Sequence, residues 1–555
     1  MKKESKDKVK IIPLGGVEEI GINCTVVEYR DEMAVIDVGL GFPLSDQYGI
    51  DYVIPNFEYL KKNKKKIQGI IITHAHLDHI GGLPYILKEL DYPEVFASRF
   101  SIEVIKQKLI EFKILDKTKI KEINKDSNLG SGSFEISFFG VTHSIPEAMG
   151  VVIKTPGGTI VHSGDFKFDN SPIFQPVSDY DKIARVGSEG VLALLSDSTN
   201  SAKSGHSKSE AVIYDTLRDM VENADGRIIV ATFSSLVTRL QQLIQIAKED
   251  GRKVAILGRS MENMIKISRD LGYINEGKNI FIPASRIKSV KDRELMVLAT
   301  GAQGEHFAAL ARMGRGEHRD LNIKKGDTVV LSASIIPGND MMVQGLIDEL
   351  SDRGAEVFHH ADIMDLHASG HGYKEDQKLM INLVKPKYFI PVHGYTSFLT
   401  KHGNTAVKVG VKPENVIVSK RGDVIELDKD GWKKSKKVQA TPILVSGSGV
   451  GDIGEIVLSD REQLANYGVV IIVIPVGTDG KHGPLQVVSR GFVYVKESRE
   501  LIGRIKSTAK KALEKDLKDL GNTKLIREKV SARVRKLLYD ETQREPMILS
   551  IIVKS

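Results

Sequence analysis

Three histidines and an aspartate fall within six positions of "THAHLDHIGG": His74, His76, Asp78 and His79, in a chain with 15 histidines among 555 residues. The apolar run ahead of them reads as a buried strand over Ile70–Thr73, with the polar residues in the loop at its end and a helix beginning near Ile80. Residues two apart in extended backbone project to one side, so His74 and His76 can grip one cation. Asp78 and His79, at the next turn, can hold a second. Imidazole nitrogen with carboxylate oxygen suits zinc or manganese and is a poor set for calcium. One loop cannot complete two sites, so further donors are expected at other strand ends. His143 in "FGVTHSIPEA", Asp165 in "TIVHSGDFKFD" and His393 in "KYFIPVHGY" each follow a short apolar strand. The single cysteine, Cys24, reads as a buried small hydrophobe. It excludes an internal disulfide, leaves metal binding to His and carboxylates, and fits a reducing, cytoplasmic setting.

The elements that must position these groups change along the chain. The first 200 residues alternate short β-branched runs with turns closed by Gly, Asp or His, and a helical stretch covers Ser101 to Leu115. From about Glu210 strands alternate with helical segments, which implies a parallel, doubly wound sheet. His-rich strand ends then return in "HHADIMDLHASGHG", so the early chemistry resumes after an insertion. The segment "KKSKKVQATPILVSGSGVGDIGE" reads as a linker, and the tail as two strands, two amphipathic helices (about Ser498 to Leu520 and Thr523 to Glu541) and a last strand. A chain of this length holds two to four domains. Its 41% hydrophobic and 27% charged content is ordinary for a globular protein, and a net charge of +7 suggests only tolerance of an anionic partner. The longest apolar run is too short to span a bilayer, and the basic N-terminus is not followed by a secretory h-region.

With "LLSDSTN", "HASGHG" and "PVHG" added, the H-x-H-x-D-H motif resembles the metallo-β-lactamase superfamily and its β-CASP nucleic-acid-processing branch. "TGAQGEHFAALARM", "SASIIPGND", "SRGFVYV" and "REPMILSII" make the chain similar to the bacterial ribonuclease J family from about Val9 to Val553. The resemblance implies an α/β architecture: a metallo-β-lactamase αββα sandwich with an inserted doubly wound β-CASP domain and a small C-terminal α/β domain. The expected boundaries are 1–205 and 355–434 for the sandwich, 206–354 for the insertion, 435–460 for a linker and 461–555 for an oligomerising C-terminal domain. The resemblance also implies His74, His76 and His143 on one zinc, Asp78, His79 and His393 on the other, and Asp165 bridging them. Asp78 counts among the catalytic groups as well as the ligands. His371 would be the general acid and Asp197 its orienting carboxylate. Manganese or magnesium are possible substitutes for zinc.

The same resemblance implies a ribonuclease with 5′–3′ exonuclease and endonuclease activity on single-stranded RNA, preferring a 5′ monophosphate and acting in mRNA decay and rRNA maturation. Backbone contacts would come from Phe233, Ser234, Ser235 and Leu236 and from His367, Ala368, Ser369, Gly370 and His371, which gives little base specificity. Arg259, Ser260 and Ser334 are plausible helpers. A homodimer or homotetramer is expected, with hetero-oligomers containing a paralogue or other RNA-decay proteins as a variant. The chain departs from the family at "LVTR", Leu236–Arg239, and at Tyr395 after "PVHG". Some relatives carry a structural calcium on a loop like "GID", Gly49–Asp51, and an Asp near the linker. Ser446 occupies the latter position here, which argues against calcium. A weakly active paralogue serving as a partner subunit is the alternative, and the intact ligand set weighs against it.

Overall fold

The computed structural model describes residues 7–44, 46–336, 338–447, 449–477, 482–493, 499–516 and 523–554. They form two compact units, 7–41 with 54–442, and 42–53 with 443–554.

In the first unit two sheets face each other. One has eight strands in the order Trp432–Ser435, Val424–Leu427, Val9–Gly15, Cys24–Tyr29, Glu32–Ile36, Ile67–Ile71, Val95–Ala97, Ile120–Glu122. The other has six: Tyr388–Val392, Ala193–Asp197, Gly158–His162, Met149–Thr155, Phe134–Gly140, Asn128–Ser131. Strand alternation decides what fills the space between them. Phe134, Ile136 and Phe138 join Ile11, Val27, Ile36 and Ile71 in the shared core, while Phe139 faces outward onto Met380, Ile381 and Val384 of the helix Lys374–Val384. Ala193–Asp197 runs parallel to both Gly158–His162 and Tyr388–Val392 and is buried throughout, as interior parallel strands are. The carboxyl ends of all three therefore open on one edge.

The helix of the histidine motif begins earlier than its sequence indicates. The strand is Ile67–Ile71 and the helix Leu77–Ile80, so Asp78 and His79 lie in the helix. The chain leaves the sheet at Thr73 because its N–H is taken by the Asp37 carboxylate (2.8 Å).

The inserted sheet is wholly parallel, in the order Phe281–Ile282, Lys253–Leu257, Leu295–Ala299, Ile228–Ala231, Thr328–Leu331, Glu356–Phe358. Helices Glu210–Asn223, Val237–Glu249 and Arg259–Asp270 bury Leu217, Leu243 and Ile265 on one face. Ala309–Arg315 and Asp340–Asp352 bury Leu310 and Leu346 on the other. The insertion thus runs past the expected boundary at 354: after a turn at Gly354 (φ 85) the chain pairs once more with Thr328–Leu331 before leaving.

The second unit differs from the expected linker and tail. Residues 435–460, expected as a linker, include strands Ile443–Ser446 and Gly449–Val450 and the start of the helix Glu455–Tyr467. That helix buries none of its residues, so it lacks the core-facing period that marks a helix in sequence. Beyond it, Val469–Val476 lies between Gln486–Arg490 and Met547–Lys554. Val470, Ile472 and Ile474 pack on the helices Arg499–Asp516 and Thr523–Thr542. Of the helix expected over Ser498 to Leu520, Ser498 and 517–520 lie outside the described residues; Tyr494 and Val495 of "SRGFVYV", Ser448 of the linker and Pro337 of "SASIIPGND" do as well. The other face of the sheet carries Leu549, Ile551 and Val553, each 44–45% exposed. No helix among the described residues is long and apolar enough to cross a membrane.

The loop at Gly49 is already saturated with protein donors. Arg461 Nη1 donates to the carbonyls of Tyr48 and Gly49 (both 3.0 Å), Ser446 Oγ to Gly49 O (2.7 Å) and Gly447 N–H to Asp51 Oδ2 (2.7 Å). A guanidinium stands against the oxygens that calcium would need, so these residues do not fit that ion.

Candidate metal centre

The strand ends bring the seven candidate ligands together. His74 Nε2 and His143 Nε2 each stand 3.1 Å from His76 Nδ1. Asp165 lies beside them, its Oδ2 3.1 Å from His79 Nε2 and its Oδ1 2.9 Å from His393 Nδ1. Asp78 Oδ2 is 3.5 Å from His79 Nε2 and 3.4 Å from His393 Nε2. Within each of the groups His74–His76–His143 and Asp78–His79–Asp165–His393, the ligand atoms lie within 4.8 Å of one another. Nitrogen and oxygen donors on one tetrahedral zinc, each about 2.0–2.1 Å from the ion, stand roughly 3.3 Å apart, so the spacing fits. His393 Nε2 is buried without a hydrogen bond, another mark of a donor aimed at a cation.

The surroundings fix which ring nitrogen is available. His143 Nδ1 donates to Gly370 O (2.7 Å) and His79 Nδ1 to Asp37 Oδ2 (2.7 Å). Thr73 Oγ1 donates to Asp37 Oδ2 (2.8 Å) and so receives His74 Nδ1–H (3.0 Å). In the neutral form of each of these three rings Nε2 carries the lone pair and faces the centre. Burial pushes His74 and His143 well below the ordinary histidine range and His76 to about 4, leaving the neutral form that binds metal. Burial also acts on His79, but Asp165, Asp78 and Asp37 outweigh it and carry that group upward; His393 rises to about 10, where Asp165 in particular overcomes burial. Burial would raise Asp165 and Asp78, yet the neighbouring histidines hold both well below the usual carboxylate range. Asp37 (φ 59) and His393 (φ 53) both adopt left-handed backbone, strain of the kind that collects at functional sites.

His371 stands beside this centre, its ring 5.1 Å from that of His143 and 5.5 Å from that of His393. Its Nδ1 donates to Asp197 Oδ2 (2.8 Å), while Asp197 Oδ1 accepts from Thr199 N–H and Oγ1 (2.9 and 2.7 Å). Against burial, Asp197 and Asp165 raise the His371 pKa. Asn200 Nδ2 braces the loop by donating to Ser369 Oγ (2.7 Å) and His371 O (3.1 Å).

The other loop, Phe233–Leu236, follows the strand Ile228–Ala231 and precedes the helix Val237–Glu249. Phe233 packs on the inserted core and Leu236 is buried, while Ser234 and Ser235 are half-buried. Ala368 is buried in the inserted core; His367 and Ser369 are half-buried. Arg259 and Ser260 sit exposed at the start of their helix. Ser334 O accepts from Gln303 Nε2 (3.0 Å), and Tyr395, 46% exposed, packs edge-on against Phe398. Sequence reasoning missed Asp37 and the contact of Gly370 with His143. The one available signal was an Asp closing the apolar run "MAVID".

A two-sheet sandwich with paired His and Asp clusters on one edge, interrupted by a parallel α/β unit, defines a metallo-β-lactamase fold carrying a β-CASP insertion. Residues 17–230 match the metallo-beta-lactamase superfamily, 225–350 the ribonuclease J beta-CASP domain, 360–418 the Zn-dependent metallo-hydrolase RNA specificity domain and 456–555 the ribonuclease J C-terminal domain. The chain is 40% identical to ribonuclease J 1 of Streptococcus pyogenes over 551 residues, covering 99% of this chain and 98% of that one. It is 39% identical to ribonuclease J2 of Bacillus subtilis over 561 residues, covering all of both. It belongs to the ribonuclease J family. A solved Enterococcus faecalis protein of unknown function shares the fold, with a TM-score of 0.53 and 16% identity over 76% of this chain and 100% of its own.

Proposed function

We propose that this chain is a zinc-dependent ribonuclease that cuts single-stranded RNA both endonucleolytically and from its 5′ end, leaving 5′-phosphate products. The observation that carries this reading is the two ligand groups meeting at Asp165 with the Asp197–His371 pair beside them. His74, His76 and His143 would hold one ion, and Asp78, His79 and His393 the other, with Asp165 shared. Two zinc ions, when bound, acidify a water and offset the charge that builds on the phosphate oxygens; manganese or magnesium can supply the same chemistry. His371 donates from Nε2 to the departing 3′ oxygen, since its Nδ1 proton is committed to Asp197. The loops Phe233–Leu236 and His367–His371 present backbone amides to phosphates, and a 5′ monophosphate is the preferred end.

The half-exposed apolar face with Leu549, Ile551 and Val553 supports assembly into a homodimer or homotetramer. A cytoplasmic role in mRNA decay and rRNA maturation is consistent with the single cysteine, Cys24. The test uses RNA labelled at its 3′ end and bearing a 5′ mono- or triphosphate, with His76→Ala beside the wild type. Monophosphate-dependent release of mononucleotides and discrete internal cuts, both lost in the variant, are expected. Equal degradation by the two proteins would overturn the reading.

A further inference from the structure

Arg239 is one of the largest fully buried side chains, 2% exposed, and every arm of its guanidinium is engaged. Nε donates to Gln242 Oε1 (3.0 Å), Nη2 to Glu210 Oε2 (2.8 Å), and Nη1 to Ser332 Oγ (2.5 Å) and Leu366 O (3.0 Å). Ser332 Oγ donates to the same Leu366 carbonyl (2.7 Å). Arg239 therefore ties the first turn of the helix that follows Phe233–Leu236 to the residue immediately before His367. These are the two loops proposed above to hold RNA.

The tie continues to the metal centre. Glu210 Oε1 lies 3.5 Å from Lys167 Nζ, which is itself 3.4 Å from Asp169 Oδ2 and 1% exposed. Lys167 follows Asp165 by two residues, and its N–H donates to Thr142 O (2.9 Å), next to His143. Two cations and two carboxylates balance in this interior chain. Arg239 and Lys167 outweigh burial and hold Glu210 at about 2. Immediately before Arg239 in the same helix, Thr238 Oγ1 donates to Ser144 O (3.4 Å). No hydrophobic contact could fix both loops in this way, because the forked donor set defines directions as well as distance.

We propose that Arg239 is a positioning residue for RNA: it sets the separation of the two phosphate-holding loops and registers them against the metal centre without touching the strand. The inference rests on the reading that those loops bind RNA. A side chain that neutralises phosphate contributes to the salt dependence of binding through counterion release; a buried brace does not. A displacement of about 1 Å in a positioning group can cost up to roughly a hundredfold in rate.

The experiment measures equilibrium binding of a short labelled single-stranded RNA to the full chain in EDTA, over a series of potassium chloride concentrations, for wild type, Arg239→Met and Ser332→Ala. The expected result is weaker binding by roughly tenfold or more for Arg239→Met, with a wild-type slope of log K against log salt. Ser332→Ala, which removes one hydroxyl and leaves the charges paired, gives a smaller loss with the same slope and carries the test if Arg239→Met does not fold by circular dichroism. A slope reduced by about one would make Arg239 a direct phosphate contact and overturn the proposal. Wild-type affinity in a folded Arg239→Met, or in Ser332→Ala should Arg239→Met not fold, would overturn it too. If the wild type itself binds no RNA, the functional reading fails first.

Discussion

Replacing Gly370 by alanine tests how closely the loop His367–His371 and the candidate metal centre are coupled. A Cβ there would stand 2.7 Å from His143 Cε1, 2.9 Å from His143 Nδ1 and 2.8 Å from Ser144 Oγ. Carbon contacts settle at about 3.5–4.0 Å, so ring or loop must give by roughly 1 Å. His143 is 1% exposed and has no room to yield without leaving its place beside His76. Its 2.7 Å bond to the Gly370 carbonyl, which holds the ring tautomer, is strained or lost at the same time. Losing such a partner typically weakens metal binding by about 10–100-fold, and overpacking costs about 1–3 kcal/mol of stability. Zinc competition against a chromophoric chelator should show one equivalent weakened by that factor and the other near wild type, with RNA cleavage falling in parallel. Gly345→Ala is the control: it lies in the helix Asp340–Asp352 with nothing within 4 Å of the added carbon, and should be neutral or stabilising by up to about 1 kcal/mol. Wild-type zinc affinity for both equivalents in Gly370→Ala would refute the steric reasoning.

Asp197→Asn removes the carboxylate that, with Asp165, raises His371 against burial. A general acid with a lowered pKa loses its proton sooner as pH rises, so the alkaline limb of kcat/KM should move to lower pH; an unmoved limb would contradict the assignment. Asp37→Asn places an amide against the His79 Nδ1–H and Thr73 donors, and zinc titration should show binding weakened by about 10–100-fold. For the C-terminal unit, calcium or a calcium chelator should leave thermal melting unchanged, since Arg461, Ser446 and Gly447 already satisfy the oxygens. Arg461→Ala should lower the melting temperature, and a calcium-dependent rise in the wild-type protein would contradict that account.

The histidines and aspartates proposed as ligands were legible because each lies within a few residues of the end of a short apolar strand, and that pattern is local in sequence. Asp37 was not, since its partner His79 lies 42 positions away and nothing near Asp37 in sequence marks the contact. The link from Gly370 to His143 spans 227 positions and is equally silent. The inserted sheet announced itself through alternating strands and helices, but its last strand, Glu356–Phe358, is a short edge whose pairing is wholly non-local. The second unit was the least legible. Phe42–Val53 joins residues some four hundred positions later through the pairing of the three-residue strand Tyr52–Ile54 with Ile443–Ser446, a backbone bond from Asp51 N–H to Val445 O (2.9 Å) and contacts of single side chains, all too short or too distant to show a local period. The roles proposed for His371 and Asp197 came through family resemblance, as did the two loops proposed to hold RNA.

The order of strands in the six-stranded sheet also bears on how the protein is made. Ala193–Asp197 pairs on one side with Gly158–His162, already synthesised, and on the other with Tyr388–Val392. The second partner leaves the ribosome about two hundred residues later, a wait of about 10–40 s at ordinary synthesis rates. For that interval the sandwich presents a bare parallel edge, a template for pairing with other chains. The inserted sheet, whose strands all lie between those two partners in sequence, can assemble during the wait. A nascent chain halted before Tyr388 should therefore be a folded insertion attached to an unfinished, aggregation-prone sandwich that also lacks His393.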